Sequence, residues 1–183
     1  MAQTKGLPSV SDLRSMLAYR KDGVLIWKRP PDRCRVKPGH IAGSKRKRGD
    51  LQVKIKQTAY LAHRIIWAML KKEDPGAMQI DHINGNPGDN RIENLRKATV
   101  AQNNSNRKDV LGCVYIGKIN KWRARIKFNN KTVHLGEFAS KGDARAAYLL
   151  AKERLHGDFM DLNAKRELDE LKQLHSQTKL FHD

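Results

Sequence analysis

Apolar positions along the chain change period several times, and each change marks an element. Leu13, Met16 and Leu17 recur at helical spacing, which predicts a short helix opened by Ser11 or Asp12. Asp22-Gly23 is a turn signal, and Val24 to Trp27 follows it as a strand. Leu51, Val53 and Ile55 alternate with Gln52, Lys54 and Lys56, the period of a half-buried strand. Over residues 60–71 the period lengthens: Leu61, Ile65, Trp67 or Ala68, and Met69 can share the buried side of a helix that also holds His63. An extended segment then ends in Asp81-His82, followed by NGNPGDN, which is dense in residues that tolerate tight turns. Thr99-x-x-Gln102 has the form of a capping box, so a short helix opens there with Asn103 in its first turns.

After a polar stretch from Asn104 to Val110, suited to a linker, the pattern becomes that of a small sheet. Strands are expected at Cys113–Ile116, Lys121–Phe128 and Thr132–Phe138, with a turn at Asn129-Asn130 and a bend at Gly136. A helix opens at Ser140 and presents Ala144, Ala147, Tyr148, Ala151 and Leu155 on one face. Residues 164–176 can form a further helix along Leu168, Leu171 and Leu174, capping this unit or mediating self-association. The class expected is α+β, with four segments: a basic region 1–59 packed with or extending the next, then 60–108, 111–163 and a tail 164–183.

Charge changes the picture. Lys and Arg number 37 against 19 Asp and Glu, a formal +18 on 183 residues. A chain this basic repels itself, which makes sense when the partner is a polyanion. No run of about 18 apolar residues exists to span a bilayer. The segment MAQTKGLPSV lacks the apolar core of a secretory signal. Nucleic acid is therefore the expected partner, no membrane is expected, and the location expected is the cytoplasm. Cys34 and Cys113 lack C-x-x-C spacing and read as free thiols. Residues 1–60 hold 15 basic and 4 acidic side chains, residues 61–110 hold 8 and 6, and residues 111–163 hold 10 and 5. The nearly neutral middle carries the candidate chemistry, between two basic flanks. The run Lys45-Arg46-Lys47-Arg48 is too charged to bury and suits phosphate contact without sequence readout.

That chemistry starts at Asp81-His82, with Asn94 12 residues beyond His82 and Asn103 9 beyond Asn94. A carboxylate and a distant amide oxygen can hold one hard divalent cation, and an adjacent histidine can take a proton from water. All-oxygen ligation by Asp81 and Asn103 favours Mg²⁺ or Mn²⁺ over zinc. The segment QIDHINGNPGDNRIENLRKATVAQNN resembles the HNH endonucleases, in the variant whose last motif residue is Asn. The resemblance implies a β-hairpin followed by a helix gripping one metal. His82 would be the general base, and Asn94 would hold the loop so that the imidazole is oriented. The A-H-R-x-x-W segment implies that His63 lies near the cleft, and Arg91 or Arg96 can add a phosphate contact.

Residues 111–163, with KWRARI, LGEF, AAY and a closing LN, resemble the plant ethylene-response-factor type of DNA-binding domain. On the second strand Trp122, Ala124, Ile126 and Phe128 share one face. Arg123, Arg125 and Lys127 share the other, where arginine can read guanine in a major groove. The resemblance brings in Thr132 and His134 on the third strand, while Lys118 suits a phosphate. Arg125 replaces a usual acidic residue and His134 a usual aromatic one, so target bases do not carry over. Together these features predict an endonuclease of double-stranded DNA, similar to the homing endonucleases of phages and mobile elements, with nicking favoured over a double-strand cut and a monomer over an oligomer. The alternative is a sequence-specific DNA-binding regulator on an inactive nuclease fold. RNA is disfavoured, because the A-form major groove is too narrow for a sheet.

Overall fold

The computed structural model describes residues 6–31, 35–105, 110–128 and 131–180, without the side chains of Ser105 and 174–180. Cys34, part of the 104–110 stretch, the Asn129-Asn130 turn and the Leu174 side chain lie outside that description. The chain is α+β, with every sheet antiparallel, and divides into two compact units, Met1–Thr99 and Val100–Asp183.

The first unit opens with α1 (Val10–Met16). Its cap is Ser9, not Ser11 or Asp12. The Ser9 hydroxyl accepts from the Asp12 amide at 3.0 Å and donates to the Asp12 carboxylate at 2.8 Å, which satisfies an amide the first turn leaves over. Leu17 remains buried but leaves the helix to begin β1 (Leu17–Tyr19), which pairs with β2 (Leu25–Trp27). The turn between them needs Gly23. Its φ is +88°, and a Cβ there would come within 2.6 Å of the Arg91 amide nitrogen and 2.7 Å of the Asn90 carbonyl carbon.

A three-stranded sheet follows from β3 (Ser44–Lys45), β4 (Leu51–Ile55) and β5 (Thr58–Leu61), in that order. Tyr60 and Leu61, expected within a helix, belong to β5 instead. Lys56 and Gln57 both take positive φ, 43° and 66°, and fold the chain back so that Thr58 pairs with Ile55. This is the hairpin geometry usually supplied by Asn-Gly.

Helix α2 (Ala62–Lys71) then buries His63, Ile65, Ile66, Trp67, Ala68 and Met69. Its last turn is closed by Arg14, whose Nε and Nη2 donate to the Met69 carbonyl at 3.1 and 2.5 Å, and by Lys72 in the left-handed region. Strands β6 (Gln79–His82) and β7 (Leu95–Ala98) form the last hairpin of this unit. One core joins these elements except β3, whose two residues are exposed: Leu13, Leu17, Val53, Ile55, Ile65, Ile66, Ile80 and Leu95 are among its buried members.

The second unit begins with α3 (Val100–Ser105). Strands β8 (Cys113–Ile116), β9 (Lys121–Phe128) and β10 (Lys131–Phe138) form a sheet with β9 central. The register slips between His134 and Gly136, where Gly136 has φ +128°, so the expected bend is a bulge. Helix α4 (Lys141–His156) is capped by Ser140, which accepts from the Asp143 amide at 3.1 Å.

Of the face expected to pack, Ala144 and Tyr148 are buried while Ala147, Ala151 and Leu155 are only partly covered. Leu149 and Lys152 are buried as well. The cause is α5 (Leu162–Leu180), which packs Ala164 and Leu168 into the same core and so covers a second side of α4. The tail therefore closes this unit. No helix among the described residues is long and apolar enough to cross a membrane.

Candidate active site and nucleic-acid face

Asp81 and His82 end β6, and neighbouring residues of a strand point to opposite faces. Asp81 lies directly across from Arg96 on β7. Arg96 Nε and Nη2 both reach Asp81 Oδ2 at 2.8 Å. The carboxylate is 5% exposed, and a charge so buried needs this partner. His82 Nε2 lies 3.0 Å from the side-chain oxygen of Asn90, a residue 1% exposed. The His63 ring of α2 meets the His82 ring edge-on, centroids 5.0 Å apart and planes at 88°.

The loop that follows is built from its own side chains. Asn84 Oδ1 accepts from the Asn86 amide at 2.8 Å, Asn86 Oδ1 from the Gly88 amide at 3.1 Å, and Asp89 Oδ1 from the Arg91 amide at 3.4 Å. Each is the local bond that makes Asn and Asp turn formers. Asn94, in a 3-10 turn at Ile92–Asn94, fastens both ends. Its Oδ1 accepts from the Asn84 amide at 3.0 Å, and its Nδ2 donates to the Asp89 carbonyl at 2.8 Å and to Asn84 Oδ1 at 3.1 Å. The Tyr19 hydroxyl accepts from the Ile92 amide at 3.1 Å, tying this turn to β1.

Arg91 and Arg96, expected to contact phosphate, each hold a loop or strand carboxylate in the protein alone. Arg91 Nε and Nη2 grip Asp89 at 2.8 and 2.7 Å, and this hydrogen bonding holds the Asp89 carboxyl down at about 2. The run Lys45–Arg48 ends β3 and forms an exposed turn to β4. This turn meets the loop after His82, since a Cβ on Gly49 would lie 3.3 Å from Pro87 Cγ. The basic turn, in which Arg46 Nη1 lies 3.3 Å from Asp50 Oδ2, therefore ends against the loop that follows His82, a juxtaposition that sequence spacing alone could not indicate.

His63 is buried, and its Nδ1 has no hydrogen-bond partner among the described residues. Burial first, then the positive charge of His82, Arg64 and Arg46, pushes its pKa down to about 3. The unfolded ring titrates near 6.5, so below that pH the unfolded chain binds a proton that the folded chain refuses. Stability should be full above about pH 6.5 and fall toward pH 3, by up to about 1.4 kcal/mol per pH unit. Urea unfolding at pH 7, 6 and 5 checks this, and His63→Gln should flatten the slope. An equal slope in that variant would assign the acid sensitivity to another group.

The hairpin that carries Asp81 and His82 lies within a segment that matches a known family. An HNH endonuclease domain matches residues 60–105. An uncharacterized HNH endonuclease, L560 of Acanthamoeba polyphaga mimivirus, is 30% identical over 100 residues, which are 53% of this chain and 54% of the relative. The chain thus spans about half the length of the curated relative it matches. No solved structure matches. The HNH match begins at Tyr60, so β1, β2 and β4, which share its core, lie outside the matched segment. It ends at Ser105, and Asn103 stands on α3, half-buried.

Outside the HNH match, the sheet of the second unit presents one polar face. Arg125 pairs with His134 and Lys127 with Thr132, all four exposed. Arg123 pairs with Glu137 and is bound to it, Nε and Nη2 reaching Oε1 at 3.1 and 2.7 Å. The face is therefore not a bare row of three cations: Glu137 neutralises one end, and Arg125 and Lys127 carry the exposed positive charge. Trp122, Ala124, Ile126 and Phe128 lie on the other side, with Ala124 and Ile126 fully covered. Lys118 is exposed in the 3-10 turn Gly117–Ile119 between β8 and β9.

Proposed function

We propose that the chain is a metal-dependent DNA endonuclease that nicks one strand per bound monomer, targeted by its second unit. The observation that carries this reading is His82, buried at the end of β6 with its ring held by Asn90 and its neighbour Asp81 held by Arg96. A histidine held by a hydrogen bond at one ring nitrogen and packed at right angles against a second ring is suited to proton abstraction from water at a defined place. The donor set fits a hard divalent cation that keeps water and substrate oxygens. Asp81 offers an anionic oxygen and Asn103 a neutral one, the kind of ligand such a cation takes.

Asp81 would hold Mg²⁺ or Mn²⁺, with Asn103 as a neutral second ligand on the strength of its spacing in the sequence. Bound there, the ion would stabilise the charge of the phosphoryl transition state and the leaving 3′ oxygen. His82 would take the proton of the attacking water, Asn94 would hold the loop, and Arg96 would keep the Asp81 carboxylate aimed. Nicking of supercoiled plasmid with Mg²⁺ or Mn²⁺, and its loss with chelator, tests the reading. Binding without cleavage at any metal concentration would favour a DNA-binding regulator instead. A role in a mobile element follows the same reading.

The second unit would read double-stranded DNA through Arg125, Lys127, Thr132 and His134, with Arg123 steadied by Glu137 and Lys118 on phosphate. The Lys45–Arg48 turn would grip backbone beside the cut. Arg125→Ala should then relax sequence preference, by about 1–3 kcal/mol of discrimination at its base. Neutralising Lys45 to Arg48 should weaken all sequences alike and flatten the fall of log K with log salt, by about 0.9 for each phosphate no longer neutralised. Binding isotherms on specific and scrambled duplexes at several salt concentrations separate the two. Equal weakening of both duplexes by Arg125→Ala would make this face an electrostatic grip only.

A further inference from the structure

We propose that Asn90 is a positioning residue for His82: its buried side-chain oxygen holds the imidazole in the Nε2–H tautomer, so that Nδ1 is the nitrogen that accepts the proton. The inference rests on the reading of His82 as the general base and specifies which atom of that base does the work. Asn90 Oδ1 lies 3.0 Å from His82 Nε2. An amide oxygen only accepts, so the shared hydrogen belongs to Nε2. A neutral imidazole carries a single N–H, and its lone pair is then on Nδ1.

Three further observations fix this geometry. Asn90 is 1% exposed, so water does not compete for its oxygen. Its backbone is pinned on both sides, by Asn94 Nδ2 on the Asp89 carbonyl at 2.8 Å and by the turn at Gly23 pressed against it. His63 stands edge-on to the His82 ring with centroids 5.0 Å apart, which limits rotation about the bond that carries the ring. The choice of an amide also has a physical reason. A carboxylate would accept the same hydrogen but would bury a negative charge at a site that is 1% exposed. Asn90 aims the ring while staying neutral.

Long-range ¹H–¹⁵N spectra of the full chain, uniformly labelled and free of metal, test this above pH 8, where histidine is ordinarily neutral. The wild-type protein should show His82 with a protonated, pyrrole-type Nε2 and a pyridine-type Nδ1. Asn90→Ala should give a mixture of tautomers and lower kcat for plasmid nicking by about 10–100-fold, with KM for DNA within about 2-fold. Asn90→Asp, which keeps an acceptor oxygen, should restore the single tautomer and part of the rate.

A wild-type His82 in the Nδ1–H form overturns the proposal, as does an Asn90→Ala protein that turns over at the wild-type rate. If Asn90→Ala does not fold, the wild-type spectrum and Asn90→Asp decide. A wild-type chain that shows the Nε2–H tautomer but never cleaves DNA would sustain the assignment of Asn90 and remove the nuclease reading, so the two fail separately.

Discussion

His82→Ala is expected to lower the rate of plasmid nicking by roughly 10²–10⁴-fold, the usual contribution of a general base. Affinity for DNA should stay within a few-fold, because the ring acts in the chemistry rather than in docking. Its burial supports that separation. His82 is 8% exposed and sits against Asn90 and His63, whereas the charge available for phosphate contact lies on Lys45 to Arg48 and on the exposed face of β9 and β10. Removing an imidazole leaves a cavity beside α2, so some loss of stability should accompany the change. For that reason the rate is compared at a temperature where circular dichroism shows both proteins folded, with binding followed by gel shift in chelator. A purified, folded His82→Ala protein that nicks at the wild-type rate would remove His82 from the reaction.

The elements nearest the motif are legible in the sequence because their signals are local. Alternation across KWRARIKF places Ala124 and Ile126 inside and Arg125 and Lys127 outside, as a period of two must. Thr99 and Gln102 announce a helix that does begin at Val100. What the sequence does not disclose depends on contacts between distant segments or on residues with two uses. Asn90 reads as one more turn residue in NGNPGDN. Its side chain is spent on His82, 8 residues away. Gly23 reads as an ordinary turn glycine, yet its lack of a side chain lets the β1–β2 turn press against the Asn90 backbone. The Lys56-Gln57 turn carries neither Gly nor Asn, so the apolar residues of β5 merge with the helical pattern that follows. Arg91 and Arg96 suggest phosphate ligands because an arginine in a cleft commonly is one. Asp89 and Asp81 are already within reach, and a nearby carboxylate binds a guanidinium first.

Lys152 gives no signal at all, since a lysine on a helix is normally solvated. In the fold it is 2% exposed, its Nζ is 2.5 Å from Asp161 Oδ2, and it lies 5.9 Å from the Tyr148 ring centre. Asp161 also accepts from the Ala164 amide at 3.0 Å through Oδ1, so the same carboxylate starts α5 and neutralises α4. Asp161→Ala should therefore destabilise the second unit by about 3–5 kcal/mol, because it strands a buried ammonium, with about 1 kcal/mol more from the missing cap. Lys152→Met combined with Asp161→Asn should recover most of that loss. The pair would then be a neutral amide that still caps α5 and an apolar chain of similar length packed on Tyr148. Native-state amide exchange along α4 and α5 reads this unit apart from the first, which a single melting curve of a two-unit chain would not. A loss below about 1 kcal/mol in Asp161→Ala would mean that Lys152 reaches water after all, because a lysine able to swing out forfeits little when its partner goes.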